Sequence, residues 1–172
     1  MKNLRLSVFR HGFNSSESRK TAENALATAT ARIRMLKQEK ALEAETSTDI
    51  ARDWDERLIR LKTTEQLLDL YVLFGSFCKS VLDNLSIMEE QKKCPAEVKE
   101  AITSLIFAAP TCSKDIPELM TLQKIFEKKY GEKFVSEETN LQSPDCAVNL
   151  AMVMKLRYYY KEASQTQGKC LD

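Results

Sequence analysis

The run Leu67-Leu68-Asp69-Leu70-Tyr71-Val72-Leu73-Phe74-Gly75-Ser76-Phe77 decides the fold. Eight of its eleven residues are large and apolar, too many for one face of a helix. A helix that is apolar nearly all round must be covered by other elements. The run sits inside a longer stripe at helical spacing: Ile50, Trp54, Leu58, Leu61, Leu68, Tyr71 or Val72, Cys78, Leu82 and Leu85. That stripe predicts one helix continuing to about Gln91, roughly 60 Å long.

Upstream, Ala22, Leu26, Ala29, Ile33 and Leu36 recur at three- and four-residue steps and predict a first long helix. Asn14 followed by Glu17 resembles a capping box, which puts its start near Ser15. Its stripe fades after Leu42, and the cluster Thr46-Ser47-Thr48-Asp49 reads as a turn and a new N-cap. No proline precedes Pro95, and only Gly12 and Gly75 interrupt these 94 residues. Two long helices joined by a tight turn fold back as an antiparallel hairpin.

Downstream, punctuation marks three shorter helices. Pro95 opens one over 96–109, with Val98, Ala101, Ile102, Leu105 and Ile106 inward, and Pro110 closes it. Asp115 with Glu118 resembles a second capping box, opening a helix over 116–130. Leu119, Leu122, Ile125 and Phe126 form its apolar face, Lys128 and Lys129 suit its negative end, and Gly131 is placed to cap it. Ser143-Pro144-Asp145 opens a last helix running to about Tyr160. The fold class expected is therefore all-α: a long antiparallel helical hairpin with three shorter helices packed on its open end. One helical domain spans 13–163, between a flexible segment at 1–12 and a polar tail at 164–172.

Composition agrees. Of 172 residues only eight are Gly or Pro, far below the ordinary share of about 12%, which disfavours a turn-rich β sandwich. A 43% apolar content with a net charge of +1 disfavours disorder. No apolar run is long enough for a transmembrane helix, and no signal-peptide pattern opens the chain, so a cytoplasmic protein is expected. Five widely spaced cysteines without a C-x-x-C pair read as reduced thiols. With His11 the lone histidine, there is no zinc-ligand pattern, and no metal or other cofactor is expected.

Charge is segregated along the chain. Residues 1–40 hold nine Lys or Arg against three Asp or Glu, and residues 41–90 hold five against eleven. The basic set of the first helix is Arg19, Lys20, Arg32, Arg34, Lys37 and Lys40. A solvated helix face is the plain reading of such a set, and a surface for an acidic partner or anionic lipid is the functional one. Tyr158, Tyr159 and Tyr160 set three rings at 100° steps, so at least one points away from the core and is available to a partner. Trp54 is expected at the hairpin seam near its tip. Catalysis is not expected: phosphate-cradle and serine-elbow motifs are missing, and a Cys–His nucleophile would depend on His11 near the chain start.

The run at 94–110, CPAEVKEAITSLIFAAP, resembles the central signature of the increased-sodium-tolerance family, regulators in the ESCRT membrane-remodelling pathway. Residues 115–119 (DIPEL) and 126–135 (FEKKYGEKFV) resemble it too, in order and spacing. So do residues 13–16 (FNSS), 32–36 (RIRML) and Val148-Asn149, which matches the start of the family's next helix. The resemblance spans roughly 13–157 and implies an ESCRT-III-like core. It also implies a non-enzymatic role: binding the tails of ESCRT-III subunits of the charged-multivesicular-body type, and modulating recruitment of the AAA ATPase that disassembles ESCRT-III. A docking groove between the second helix and the late helices, contact with anionic endosomal membrane, and homo- or hetero-oligomers are further implications. No nucleic acid is implied.

The chain departs from the family pattern in places. Ala41-Leu42-Glu43-Ala44-Glu45 stands where the family has an arginine-rich stretch, and Ala51-Arg52-Asp53-Trp54-Asp55-Glu56 where it has a basic start to the second helix. Residues 164–172 contain no equivalent of the family's MIT-binding motif, so ATPase binding through a tail is not expected of them. A self-associating helical scaffold without ESCRT or lipid partners is the alternative function.

Overall fold

The computed structural model describes residues 16–46 and 54–168. Among these the protein is all-α, with seven helices and no strand. They are α1 (Ser16–Thr46), α2 (Trp54–Asp83), α3 (Leu85–Glu90), α4 (Ala96–Cys112), α5 (Glu118–Tyr130), α6 (Glu132–Glu138) and α7 (Leu150–Gly168). The two long helices are there, and α4, α5 and α7 are the three shorter ones expected. The proposed Asn14 cap, the Thr46–Asp49 turn and the segment 1–12 fall wholly or mostly outside the described residues, as does the side chain of Trp54.

The second long helix breaks once. The Asn84 side-chain amide donates to the Ser80 carbonyl at 2.8 Å, taking the acceptor that the Asn84 backbone N–H would use. That N–H turns to Val81 O at 3.2 Å instead. A side chain competing with the backbone ladder in this way ends α2 and lets α3 begin at Leu85. Pro110 does not close α4, which runs one more half-turn to Cys112. Proline inside a helix forfeits one ladder bond, and here it lies close enough to the end for the turn to survive. There the Cys112 carbonyl accepts from both Asp115 N and Ile116 N. The N-cap position of α5 is held by Pro117, without a side-chain cap, and not by the expected Asp115.

The last helix begins later than Ser143. Ser143 Oγ accepts from Asp145 N at 3.2 Å and its carbonyl from Cys146 N, so Ser143-Pro144-Asp145 closes a turn. Asn149 is the working cap: its Oδ1 accepts from Met152 N at 2.9 Å, the ordinary N-cap bond to the third helical residue. From there α7 continues past Tyr160 to Gly168.

The chain divides into two compact units. The first holds α1 up to Ala29 and residues 77–148. Its centre is α4, buried on more than one face: Val98, Ala101, Ile102, Leu105, Ile106, Ala108 and Ala109 are all core. The Thr103 hydroxyl, also buried, donates to Lys99 O at 2.9 Å, so it costs little. α5 packs on α4 through Leu119, Leu122 and Phe126, and α6 lies against both. In the same unit Arg19 of α1 reaches Glu89 of α3. The second unit holds residues 30–76 and α7. There Ile33 of α1 lies beside Gly75 of α2, 3.9 Å from where a β-carbon would stand.

The buried line along α2 and α3 is Leu67, Leu70, Tyr71, Phe74, Phe77, Cys78, Val81, Leu85 and Met88. Of the expected stripe, Tyr71, Cys78 and Leu85 lie on this line, while Leu58 and Leu61 are exposed, as is the alternative Val72, and Leu68 and Leu82 are half-buried. Where a helix is apolar on several faces, periodicity alone does not choose among them. The aromatic rings that need most cover, Phe74 and Phe77, set the inward side.

Gly131 joins α5 to α6 at φ 94°, ψ 157°, a region that only glycine enters cheaply. A β-carbon there would meet nothing within 4 Å. Any cost of Gly131→Ala is therefore backbone strain and not a clash. The expected loss is about 1–3 kcal/mol by chemical denaturation; a loss near zero would mean that the turn relaxes.

Candidate functional site

The most unusual surface lies on α7. Its inward residues are Met152, Val153 and Leu156, each 5% exposed or less. The opposite side would ordinarily be polar. Here it carries Leu150 and Met154, 67% and 72% exposed, then Tyr158 one further turn along, 37% exposed. These three sit at steps of four, one above the next on a single face. Ala151 and Arg157 are exposed beside them. Lys155, on the flank, bridges to α2 within the same unit: Nζ lies 2.6 Å from Asp69 Oδ2 and 3.3 Å from Gln66 Oε1. Val72, half exposed, follows Asp69 by one turn of α2. Leu150, Met154 and Tyr158 thus form an uncovered apolar stripe beside a polar clamp.

The basic set of α1 divides by environment. Arg19 is not a free cation. Its Nε donates to Glu23 at 2.8 Å and its Nη1 to Glu89 at 2.9 Å, and those two hydrogen bonds hold its pKa above the ordinary value. Lys40 Nζ pairs with Glu43 at 2.7 Å, which likewise raises its pKa. Arg32 is half-buried and engaged with neighbours. Lys20 and Arg34 are exposed, with Lys37 half-buried. Of the tyrosines, Tyr158 is the outward ring and Tyr159 is half-buried and engaged; the side chain of Tyr160 lies outside the described ones. The sequence marks all three tyrosines alike without choosing Tyr158, and it does not mark Leu150 and Met154. The run Leu150-Ala151-Met152-Val153-Met154 is continuously apolar, and nothing in it tells the inner face from the outer.

A polar cluster in the other unit is structural in character. Lys99 Nζ of α4 lies 2.7 Å from Glu138 Oε1 of α6. Cys94 stands near this pair and beside Tyr130, and burial is the main force on both, pushing the tyrosine hydroxyl up and the thiol from 9.0 to about 11. A thiol so held is a poor nucleophile at neutral pH. Its alkylation rate should keep rising toward pH 11 instead of levelling near the free-thiol value of about 8.5, as mass spectrometry of the Cys94 peptide would show. Above pH 9.0 the unfolded thiol ionises while the folded one holds its proton to about 11. The folded state then binds more protons, so this group's share of stability falls as pH rises through that window. A labelling rate that levels near pH 8.5 would contradict the burial, since ~8.5 is the free-thiol value.

Cys78, Cys94, Cys112 and Cys146 are free thiols. Among the described residues no cluster could hold a metal ion, and no helix is long and apolar enough to cross a membrane.

Among the described residues the protein is all-helical, with a partly neutralised basic first helix and an uncovered apolar face on the last. Residues 22–169 match the Ist1 family, described as regulator of Vps4 activity in the MVB pathway, where MVB is the multivesicular body. The match covers most of the chain, and the protein belongs to that family. It is an ESCRT-associated regulator of protein sorting. No curated protein matches the chain.

Proposed function

We propose that this protein is a non-enzymatic adaptor that binds the C-terminal helix of an ESCRT-III subunit and thereby modulates recruitment of the AAA ATPase. It acts in the cytoplasm at endosomal membrane during multivesicular-body sorting. The observation that carries this reading is the exposed face of α7, Leu150, Met154 and Tyr158, in a chain of the Vps4-regulator family. A single amphipathic helix laid on such a face binds through apolar anchors at three- and four-residue steps. The exposed cations Lys20 and Arg34 supply attraction to an anionic membrane of about 1 kcal/mol each near the surface.

Fluorescence anisotropy with tail peptides of charged-multivesicular-body-type subunits tests the docking. The expected dissociation constant is micromolar, and no binding at about 100 μM would overturn the reading. The exposed residues Met35 and Leu42 of α1 and Leu58, Ile59 and Leu61 of α2 favour the second reading, a self-associating scaffold. Sedimentation that grows with concentration, without binding to phosphatidylserine vesicles or tail peptides, would establish that instead.

A further inference from the structure

Ser86 is exposed on α3, and its hydroxyl oxygen accepts from Nη2 of Arg19 at 3.4 Å. Arg19 is already spoken for on its other nitrogens, by Glu23 and Glu89. Three groups with negative or lone-pair oxygens thus share one guanidinium, and the one neutral member is Ser86. The sequence around it is Asp83-Asn84-Leu85-Ser86-Ile87-Met88-Glu89-Glu90, with carboxylates three and four residues after the serine. A protein kinase with a basic substrate groove reads that pattern of acidic residues. The serine also lies on a helix of only six residues, bounded by the Asn84 turn and by non-helical residues 91–95. Seating it in extended form in a kinase active site requires opening this one short element, not the long helices. Local opening of so small a unit, anchored by the buried Leu85 and Met88, costs less than global unfolding.

We infer that Ser86 is a phosphorylation site for an acid-directed serine/threonine kinase, and that Arg19 is the receiving cation for the phosphate. In the transfer the Ser86 oxygen forms a bond to the γ-phosphorus of ATP while the bond from that phosphorus to the β-phosphate bridging oxygen breaks. ADP leaves, and the hydroxyl proton passes to the kinase's catalytic aspartate. The product carries about −1.5 to −2 charge where a neutral hydroxyl stood. Guanidinium and phosphate pair in bidentate fashion, so the phosphate takes the Arg19 edge now shared with Glu89. Modification exchanges the partner of Arg19 and repels Glu89. It changes the contacts to Glu89 and Ser86 by which Arg19 ties the start of α1 to α3, whichever partner the protein binds elsewhere.

The experiment treats the full chain with an acid-directed kinase and labelled ATP. The label should map to Ser86, and Ser86→Ala should cut the initial rate by about tenfold or more, one decade per 1.4 kcal/mol of barrier. Because Ser86 is exposed, that variant removes no core group. Glu89→Gln, which deletes the carboxylate three residues on, should slow transfer as well. The phosphate's second ionisation, followed by ³¹P NMR, should lie lower in the wild-type chain than in Arg19→Gln, around the ordinary value of ~6. Label at other serines with Ser86 unmodified, or no label at all, overturns the site. Equal ionisation in the two chains overturns the role of Arg19.

Discussion

Replacing Phe126 by alanine should cost about 3–5 kcal/mol of folding free energy, the range for deleting a fully buried ring. Phe126 is completely buried and is the largest residue on the inner face of α5. That helix docks on α4, which is the centre of its unit, so the cavity would open where the surroundings are least able to collapse. The loss is the transfer energy of the ring plus the space left unfilled. A domain of ordinary stability has only about 5–15 kcal/mol in hand, so this one change removes a large share of it. Lys124→Ala, on the exposed side of the same helix, should stay within about 0.5 kcal/mol. Urea unfolding followed by circular dichroism gives both numbers. A loss below about 1 kcal/mol for Phe126→Ala would mean that α5 does not hold its place through this side chain, because such small losses belong to partly exposed sites.

How far the sequence foretold the fold depends on how one-sided each helix is. On α1 the apolar residues are few and well spaced, so Ala22, Leu26, Ala29 and Ile33 were readable as the inner face and are buried. On α5 the pattern is equally clean, and Leu119, Leu122 and Phe126 are core while Gly131 closes the helix as expected. The pattern fails where apolar residues crowd every side. Along α2 and α3 it placed Cys78 and Leu85 correctly, left Tyr71 and Val72 open, and took Leu68 and Leu82 for Leu67 and Val81, because such neighbours serve a periodicity equally well. Only packing distinguishes them. On α7 the same ambiguity concealed the outward pair Leu150 and Met154. The break at Asn84 and the turn at Ser143 were hidden for another reason. Each rests on one side chain choosing a backbone partner, at Ser80 and Asp145, and such a choice has no periodic signature.

Charge shows the same limit. Arg19 and Arg34 are alike in the sequence, yet one bridges two carboxylates and the other faces solvent. A count of positive residues therefore overstates the cations that an acidic surface would meet. Among the basic residues of α1, Lys20 and Arg34 are the exposed ones. Any electrostatic attraction of this helix should be weaker than the sequence total suggests, at about 1 kcal/mol for each residue able to approach a membrane.

The sharpest functional test is Met154→Asp. Met154 is the most exposed of the three residues along the outer face of α7, 72% open to solvent, and so contributes little to folding. Its replacement should leave stability within about 0.5 kcal/mol, apart from the weaker helix propensity of aspartate. Binding is a different matter. A docked helix would bury Met154 at the middle of the stripe, between Leu150 and Tyr158. A carboxylate there would have to shed its water with no cation fixed opposite it, a penalty of several kcal/mol when burial is complete. Central anchors of an interface typically lose about 2 kcal/mol or more even on simple truncation. A loss of affinity of about 30-fold or greater for the tail peptide is therefore expected. Lys155→Ala gives the contrast. It removes the bridge to Asp69 and Gln66 that ties α7 to α2, and leaves the apolar stripe intact. Its effect on affinity should be smaller, because exposed ion pairs contribute only about 0–1 kcal/mol. Should Met154→Asp bind the peptide as well as the wild-type chain does, the occupant sits elsewhere and the outer face of α7 is not the docking surface.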